Sequence, residues 1–300
     1  MSIAPEPPAT SIPLVTAASL NAMPTEERIK ILKGPFGKMM HAMAGTYAAP
    51  LWWIEPPQHL SEGDTSAIAR NASMFFLEIG GQLFGVTAAH VYRGYLEVKN
   101  RGLLGSPCHV GNFEFDPQLR IHSMGGQRNG VDNVDIATFK FTHSELTQIG
   151  KRAITASQGD WPPRHPFSGQ SVYFAGFPGT SRRWIDEKSI SFGMYVAAPM
   201  VGTVTDLQFT FPFDRNFWVD MTGHGLPPEG FDLGGVSRGP VLMPKEKDGV
   251  WSFELAGVLS ESQASHGFET LIAVPAHFIA MDGTIYDERS APNRHAVPAK

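Results

Sequence analysis

The sequence predicts an all-β protein built from two successive antiparallel β-barrels with a few short helices. Two groups of short β-rich runs support this prediction, because each run is bounded by residues that favour turns. The first group occupies about residues 71–142 and the second about residues 165–280. A chain of 300 residues that is 42% hydrophobic can bury the cores that two barrels need.

A pair of glycines marks the clearest hairpin of the first group. Residues 73–79 and 82–88 are apolar and β-rich, and Gly80 and Gly81 between them suit a tight turn. Beyond His90, which follows this hairpin, we expect strands at residues 95–99, 109–115, 119–122 and 135–141. Residues 142–154 predict a short helix that links the two groups, with Gly150 as a weak point in the pattern.

The second group also consists of short β-rich runs that are bounded by residues that favour turns. Its strands are expected at residues 171–175, 189–198, 203–211, 216–220, 240–243, 252–260 and 270–274. A helical turn is expected at residues 275–279, and residues 286–300 are polar enough to form a tail. The main domain therefore spans about residues 71–285.

The first 70 residues predict three segments. Residues 1–22 resemble a flexible arm, because they contain little that could form a core. A helix is expected from Thr25 to Lys33, ended by Gly34. Residues 35–57 are apolar without a regular period and predict a strap packed on a barrel, or alternatively a partner or lipid surface. The side chains that would form this surface are Met39, Met40, Met43, Trp52 and Trp53.

Composition narrows the class of protein. The formal net charge of −5 and the absence of a Lys/Arg run argue against nucleic acid as a partner. Cys108 is the only cysteine, so no intramolecular disulfide can form, and a reducing compartment is expected. The N-terminus has no secretory pattern and no run is long enough to span a membrane. We therefore expect a cytoplasmic protein.

Three residues in the order His, Asp, Ser could together make an activated nucleophile. Ser237 lies in the run Gly-Gly-Val-Ser-Arg-Gly-Pro-Val at residues 234–241, where glycines allow the backbone to approach a ligand. A serine hydroxyl needs a base to take its proton and a group to orient that base. His90, in Thr-Ala-Ala-His, and Asp135, in Asp-Ile-Ala, could supply these functions. The sequence therefore predicts nucleophilic catalysis.

These motifs resemble those of the chymotrypsin/trypsin-like serine peptidases, whose patterns are Thr-Ala-Ala-His, Asp-Ile-Ala and Gly-x-Ser-Gly-Gly-Pro. The resemblance covers about residues 70–280 and implies two six-stranded barrels with the site between them. It implies that Ser237 is the nucleophile, His90 the general base and Asp135 the residue that orients His90. It further implies a disulfide-free, intracellular type of enzyme that needs no metal or cofactor.

The resemblance also assigns supporting residues. The backbone N–H groups of Gly235 and Ser237 would form the oxyanion hole. Phe231 would lie at the base of the substrate pocket, and Ser260 would line its wall and contact the triad aspartate. Asp132 competes with Asp135, but it lies in a Gly/Asn-rich loop rather than before a strand.

Three positions depart from the family pattern. Val236 replaces the aspartate that pairs with a newly cut N-terminus, so that route of activation is not expected. Arg238 replaces the glycine after the nucleophile and puts full activity in question. Asp232 lies beside Phe231, and an alignment shifted by one residue would turn an apolar pocket into one that accepts Lys or Arg.

Other chemistries fit less well. The Gly-x-Ser-x-Gly spacing at Ser237 is also typical of α/β-hydrolases, for which His266 or His277 would have to be the base, but their strand–helix alternation is missing. No metal-binding spacing appears. Cys108 precedes His109 on a predicted strand, where neighbouring side chains face opposite sides, so a catalytic pair is not expected.

Two hypotheses of function follow. The first is a serine endopeptidase that acts on a protein or peptide through an acyl-enzyme. The second is a weak or inactive member of the same fold that binds peptides, and Arg238 is its best support. A peptide in the cleft is expected under both hypotheses.

Overall fold

The computed structural model describes residues 17–56, 68–128, 131–132, 134–157, 159–185, 190–212, 218–220, 238–265 and 268–287. These residues form a mostly β structure in which two curled antiparallel sheets make half-barrels. No helix among them has the length and apolar character needed to cross a membrane.

The helices are short. They are α1 (Ala17–Ala22), α2 (Thr25–Lys33), α3 (Pro35–Gly45), α4 (Ala89–Asn100), α5 (Pro117–Arg120) and α6 (His143–Ile149). Two 3₁₀ turns lie at Gly179–Ser181 and Ala276–Phe278.

The described residues of the first half of the chain form ten strands. They are β1 (Ala48–Glu55), β2 (Ile68–Ile79), β3 (Gln82–Thr87), β4 (Cys108–Val110), β5 (Phe113–Phe115), β6 (Ile121–Met124), β7 (Gln127–Arg128), β8 (Val131–Asp132), β9 (Ala137–Phe141) and β10 (Ala153–Thr155). Seven of them form a sheet in the order β5-β4-β1-β2-β3-β9-β6, and β10 adds to β2 in parallel. Strands β7 and β8 pair with each other only, among the described residues.

In the second half, the part of the chain that the structure describes forms nine strands. They are β11 (Tyr173–Gly176), β12 (Arg182–Trp184), β13 (Ile190–Phe192), β14 (Tyr195–Ala197), β15 (Phe209–Pro212), β16 (Trp218–Asp220), β17 (Pro240–Lys247), β18 (Val250–Ser265) and β19 (Phe268–Pro275). The second sheet has the order β15-β19-β18-β17-β11-β14-β16, and β12 and β13 form a separate hairpin. Among the described residues the sheets thus have eight and seven strands, rather than the six expected for each, and the first sheet includes the central strand β1.

The glycine pair forms the predicted hairpin. Strands β2 and β3 pair in antiparallel register, and Ile79 faces Gln82 at the turn. Gly80 and Gly81 have φ angles of +57° and +73°, which residues with a Cβ adopt only at a cost. The hairpin ends at Thr87, immediately before the segment that carries His90.

The strand predicted at residues 95–99 is wrong, because this segment belongs to helix α4. Val91, Tyr92 and Tyr95 are buried on one face, and their spacing is that of a helix. A short apolar run does not by itself separate helix from strand, and contact with the first sheet decides the outcome here.

The prediction of an irregular strap over residues 35–57 is also wrong. Its first part is helix α3 and its second part is β1, which lies between β2 and β4 in the first sheet. That sheet therefore begins at Ala48 rather than near residue 71. Met40 and Trp53 are buried in the core, which leaves Met39 as the large exposed side chain of α3.

The linking segments agree more closely with prediction. Helix α2 covers Thr25–Lys33, with Pro24 as its N-cap residue and Gly34 as its C-cap residue. Helix α6 has a capping box between Thr142 and Glu145, and Gly150 ends it in the left-handed conformation. Residues 17–22 form α1, whereas the rest of the predicted arm and tail, residues 1–16 and 288–300, lies outside the described residues.

One hydrophobic core joins the two halves. Phe75 and Phe84 of the first sheet, Tyr173 and Leu255 of the second, and Met40 of α3 belong to the same buried cluster. Each half also has a cluster of its own on the other side of its sheet. The shared core holds the end of β3 and the start of β17 in a fixed relation, and these two points carry the candidate site.

Candidate active site

His90 lies in the first turn of α4, directly after the β2–β3 hairpin. Ala88 is the extended N-cap residue and Ala89 begins the helix, and both are completely buried. This buried pair anchors the junction between strand and helix. The imidazole of His90 remains 40% exposed and faces a cleft.

Asp135 precedes β9 and is held on both sides by buried apolar neighbours. Val134 and Ile136 are fully buried, and Asp135 itself is 7% exposed. Its two oxygens accept hydrogen bonds from the backbone N–H of His90 at 2.9 Å, from Nδ1 of His90 at 2.6 Å and from Oγ of Ser260 at 3.1 Å. The structure thus brings together three residues that the sequence singled out.

These contacts keep Asp135 ionised. Burial acts to raise the pKa of its carboxyl group, but the hydrogen bonds that the carboxylate accepts from His90 and Ser260 outweigh burial. The pKa of Asp135 therefore lies below its usual range. An ionised Asp135 requires the proton of the neutral imidazole to be on Nδ1.

The other imidazole nitrogen contacts Arg238. Nε of Arg238 lies 3.1 Å from Nε2 of His90, and one terminal guanidinium nitrogen lies at 2.5 Å. Because a guanidinium only donates hydrogen bonds, Nε2 must accept. His90 is therefore neutral, with its proton on Nδ1 and its lone pair on Nε2, and this is the tautomer that a general base requires.

Arg238 is held to this position by its backbone. Its φ angle is +91°, a left-handed conformation that is unusual for a residue with a Cβ, and its N–H donates to the carbonyl of Leu259 on β18. Burial lowers the pKa of Arg238 to about 10, against the opposing effect of Asp135, so the guanidinium is charged at neutral pH. Arg238, the residue that departs from the family pattern, therefore donates a hydrogen bond to the lone pair on Nε2 of His90.

We expect the Asp135 carboxylate to contribute stability that acid removes. A carboxyl group whose pKa is lowered in the fold contributes fully above its unfolded pKa of about 3.9, and the contribution disappears as pH falls through the folded pKa. Asp135→Asn should cost about 2 kcal/mol at neutral pH, measured by urea denaturation, and this difference should shrink below about pH 4. A difference that grows towards low pH would contradict the assignment.

Most of the remaining site residues predicted from the sequence lie outside the described part of the chain. Ser237, Gly235 and Phe231 lie outside the described residues, as do Val236, Asp232 and His266. The backbone of Asp132 belongs to β8 and pairs with Gln127. Arg238 is the first described residue after Ser237, and its side chain contacts His90.

The competing chemistries find little support. Cys108 is buried, and burial raises the pKa of its thiol, which disfavours the reactive thiolate. Its neighbour His109 instead stacks on Trp52. After Arg238, the described residues form β17, β18, β19 and a 3₁₀ turn that contains His277, without the strand–helix alternation of an α/β-hydrolase. Within the described ranges, no group of three potential ligands could hold a metal ion.

Sequence reasoning missed the wall of the cleft beside His90. Arg70 and Asn71 on β2 and Arg182 on β12 line it, together with Glu55 on β1. These residues are far apart in the sequence and form no motif, so only the fold shows that they meet. Arg182 did stand in an Arg-Arg-Trp run, but nothing in that run pointed to His90.

Comparison with known proteins adds no relative. No protein-family model matches this chain, and no curated protein matches it either. The functional argument therefore depends on the residues and their geometry.

Proposed function

We propose that this chain is a serine endopeptidase of the trypsin-like, two-barrel class, acting through an acyl-enzyme. The observation that carries the proposal is the pair formed by His90 and Asp135, in which the carboxylate fixes Nδ1 and Nε2 faces the cleft, where it accepts from Arg238. A histidine buried for structural reasons has no need for this tautomer or for a cleft beside it.

The position of the pair in the fold supports the same proposal. His90 directly follows β3 and Asp135 directly precedes β9 of the first curled sheet, whereas β17, which begins at Pro240, belongs to the second. Ser260 on β18 donates to Asp135 across the boundary between the two halves. This distribution over two half-barrels is what the resemblance to trypsin-like peptidases implies.

The proposed reaction has two steps. Ser237 Oγ attacks the carbonyl carbon of the scissile bond while Nε2 of His90 takes the hydroxyl proton, and Asp135 stabilises the imidazolium. The N–H groups of Gly235 and Ser237 would stabilise the oxyanion, and the C–N bond breaks as His90 returns the proton to the leaving amine. Water then attacks the ester by the same proton transfers, which releases the acid and regenerates Ser237.

Arg238 sets a condition on this reaction. A serine hydroxyl and a guanidinium cannot both donate to the single lone pair of Nε2. The guanidinium must therefore find another acceptor before His90 can take the proton of Ser237. The same contact favours a second candidate function, an inactive peptide-binding module in which Arg238 remains on His90.

Labelling with a fluorophosphonate probe tests the proposal, because the probe forms a bond only with an activated serine. Wild-type protein and an exposed-serine control, Ser168→Ala, should be labelled equally. Ser237→Ala and His90→Ala should not be labelled. Labelling that persists in Ser237→Ala would overturn the assignment of the nucleophile, and a folded wild type that never reacts would favour the binding module.

A further inference from the structure

The cleft beside His90 is large enough to hold a segment of peptide. Its volume is about 660 Å³, and its walls come from both halves of the chain. Residues of β1, β2 and α4 form one side, whereas the 3₁₀ turn at Gly179–Ser181, Arg182 and Arg238 form the other. An occupant would therefore lie against both half-barrels and within reach of His90.

The described residues give the cleft a net positive charge in a chain that is negatively charged overall. Among these residues, four guanidinium groups and two carboxylates line the cleft, whereas the whole chain has a formal net charge of −5. The guanidinium groups belong to Arg70, Arg101, Arg182 and Arg238, and the carboxylates to Glu55 and Glu97. Charge of one sign concentrated in a concave surface attracts ligands of the opposite sign.

Both carboxylates are already engaged. Glu55 accepts from Arg70 at 3.0 and 3.3 Å, and Glu97 lies 3.6 Å from Arg101 on the same helix. The positive charges of these two arginines are therefore largely compensated. Neither pair has a carboxylate left for the remaining cations of the cleft.

The side-chain hydrogen bonds of Arg182 and Arg238 go to neutral acceptors among the described residues. Arg182 donates to the side-chain oxygen of Asn71 at 3.0 Å, and Arg238 donates to His90. Burial and the nearby charge of Arg70 lower the pKa of Arg182, which shows that its surroundings disfavour the cation. An anion placed between Arg182 and Arg238 would relieve this penalty.

We propose that the cleft binds an acidic peptide segment, with an Asp or Glu side chain of the peptide received by Arg182 and Arg238. A carboxylate matches the fork of guanidinium donors and forms charge-assisted hydrogen bonds. The choice of a peptide as the occupant rests on the proposed function, because the cleft opens on the His90–Asp135 pair. The structure thus assigns a substrate class that the sequence did not predict.

The same carboxylate would free His90. A charged oxygen is a stronger acceptor for a guanidinium than a neutral imidazole nitrogen. An acidic occupant therefore draws Arg238 away from Nε2 and leaves the lone pair for the hydroxyl of Ser237. Binding of an acidic peptide and the availability of Nε2 of His90 as a base are thus coupled through the side chain of Arg238.

Peptide binding to the full-length Ser237→Ala variant tests this inference without turnover. Two fluorescein-labelled pools of short peptides, identical except that one has Glu where the other has Gln, are compared by fluorescence anisotropy. The Glu pool is expected to bind about tenfold more tightly at low salt, and high salt should reduce this preference. This comparison uses one folded protein, so it does not depend on further variants.

Substitutions then locate the binding site. Arg182→Gln should reduce the Glu preference to about twofold or less, since it removes one of the two cations. The matched control is Arg164→Gln, an exposed arginine outside the cleft, which should leave the preference unchanged. Equal affinity for the two pools, or a preference unaffected by Arg182→Gln, would overturn the inference, as would tighter binding of a phosphoserine pool than of the Glu pool.

The test also separates this inference from the proposed function. A wild-type protein that the fluorophosphonate probe labels, but whose Ser237→Ala variant shows no Glu preference, would disprove the acidic cleft alone. A protein that prefers Glu but is never labelled, even as the Arg238→Gly variant, would disprove the peptidase alone.

Discussion

Replacing Arg238 by glycine is expected to raise the rate of fluorophosphonate labelling of Ser237 by about 10- to 100-fold. The guanidinium occupies Nε2 of His90, and a hydrogen bond from a charged donor is worth about 1.5–3 kcal/mol. Each 1.4 kcal/mol, roughly, corresponds to a tenfold change in rate. Removing the donor leaves the lone pair free to accept the proton of Ser237.

The backbone favours this substitution. The φ angle of +91° at Arg238 costs a residue with a Cβ about 1 kcal/mol or more, and glycine adopts it freely. Arg238→Gln is the matched control, because it keeps a donor at the position but removes the charge, and its effect should be smaller. A labelling rate that stays the same or falls in a folded Arg238→Gly variant would show that the guanidinium does not restrain His90.

Gly239→Ala is expected to destabilise the fold by about 3 kcal/mol or more. A Cβ at Gly239 would lie 1.9 Å from the carbonyl oxygen of Ala175, a distance that no pair of such atoms tolerates. The obstructing atom belongs to the backbone of β11, which pairs with β17 just beyond Gly239, so it cannot rotate away. The expected readout is a lower urea midpoint with an unchanged dependence on urea.

Gly94→Ala provides the matched control. Gly94 lies within α4, and a Cβ there would meet no atom within 4 Å. Alanine is the better helix former, so this variant should gain about 0.5–1 kcal/mol. If Gly239→Ala proved as stable as Gly94→Ala, the close contact between β11 and the segment after Ser237 would be refuted.

Local signals in the sequence predicted several elements well. The hairpin β2–β3 was predicted from Gly80-Gly81, and helices α2 and α6 from their end residues. In each of these cases the deciding residues lie next to each other in the chain, so tertiary structure is not needed to interpret them. The division into two successive β-rich halves was predicted for the same reason, from the regular spacing of turns.

The predictions that proved wrong concern segments whose secondary structure depends on contacts with distant parts of the chain. Residues 95–99 are helical because Tyr95 packs into the first half's own core, and β1 is a central strand because β2 and β4 flank it. Neither contact can be recognised from the residues that neighbour these segments in the sequence. Short apolar segments such as these remain ambiguous between helix, strand and irregular strap until their partners are known.

The candidate site likewise contains some residues that sequence motifs identified and others that they did not. The motifs around His90 and Asp135 and the strand position of Ser260 identified three residues that do meet. The direction taken by the side chain of Arg238 was not predictable, because it depends on a left-handed backbone and on a histidine far away in the chain. The cleft residue Arg182 was missed because its neighbours come from other elements.

The core shared by the two halves limits how the cleft can open. Met40, Phe75 and Tyr173 are buried in one continuous cluster, so a hinge motion of one sheet against the other would expose apolar surface from both. Each square ångström exposed in this way costs about 25 cal/mol. We therefore expect a ligand to be accommodated by local rearrangement of side chains, above all Arg238, without separation of the two sheets.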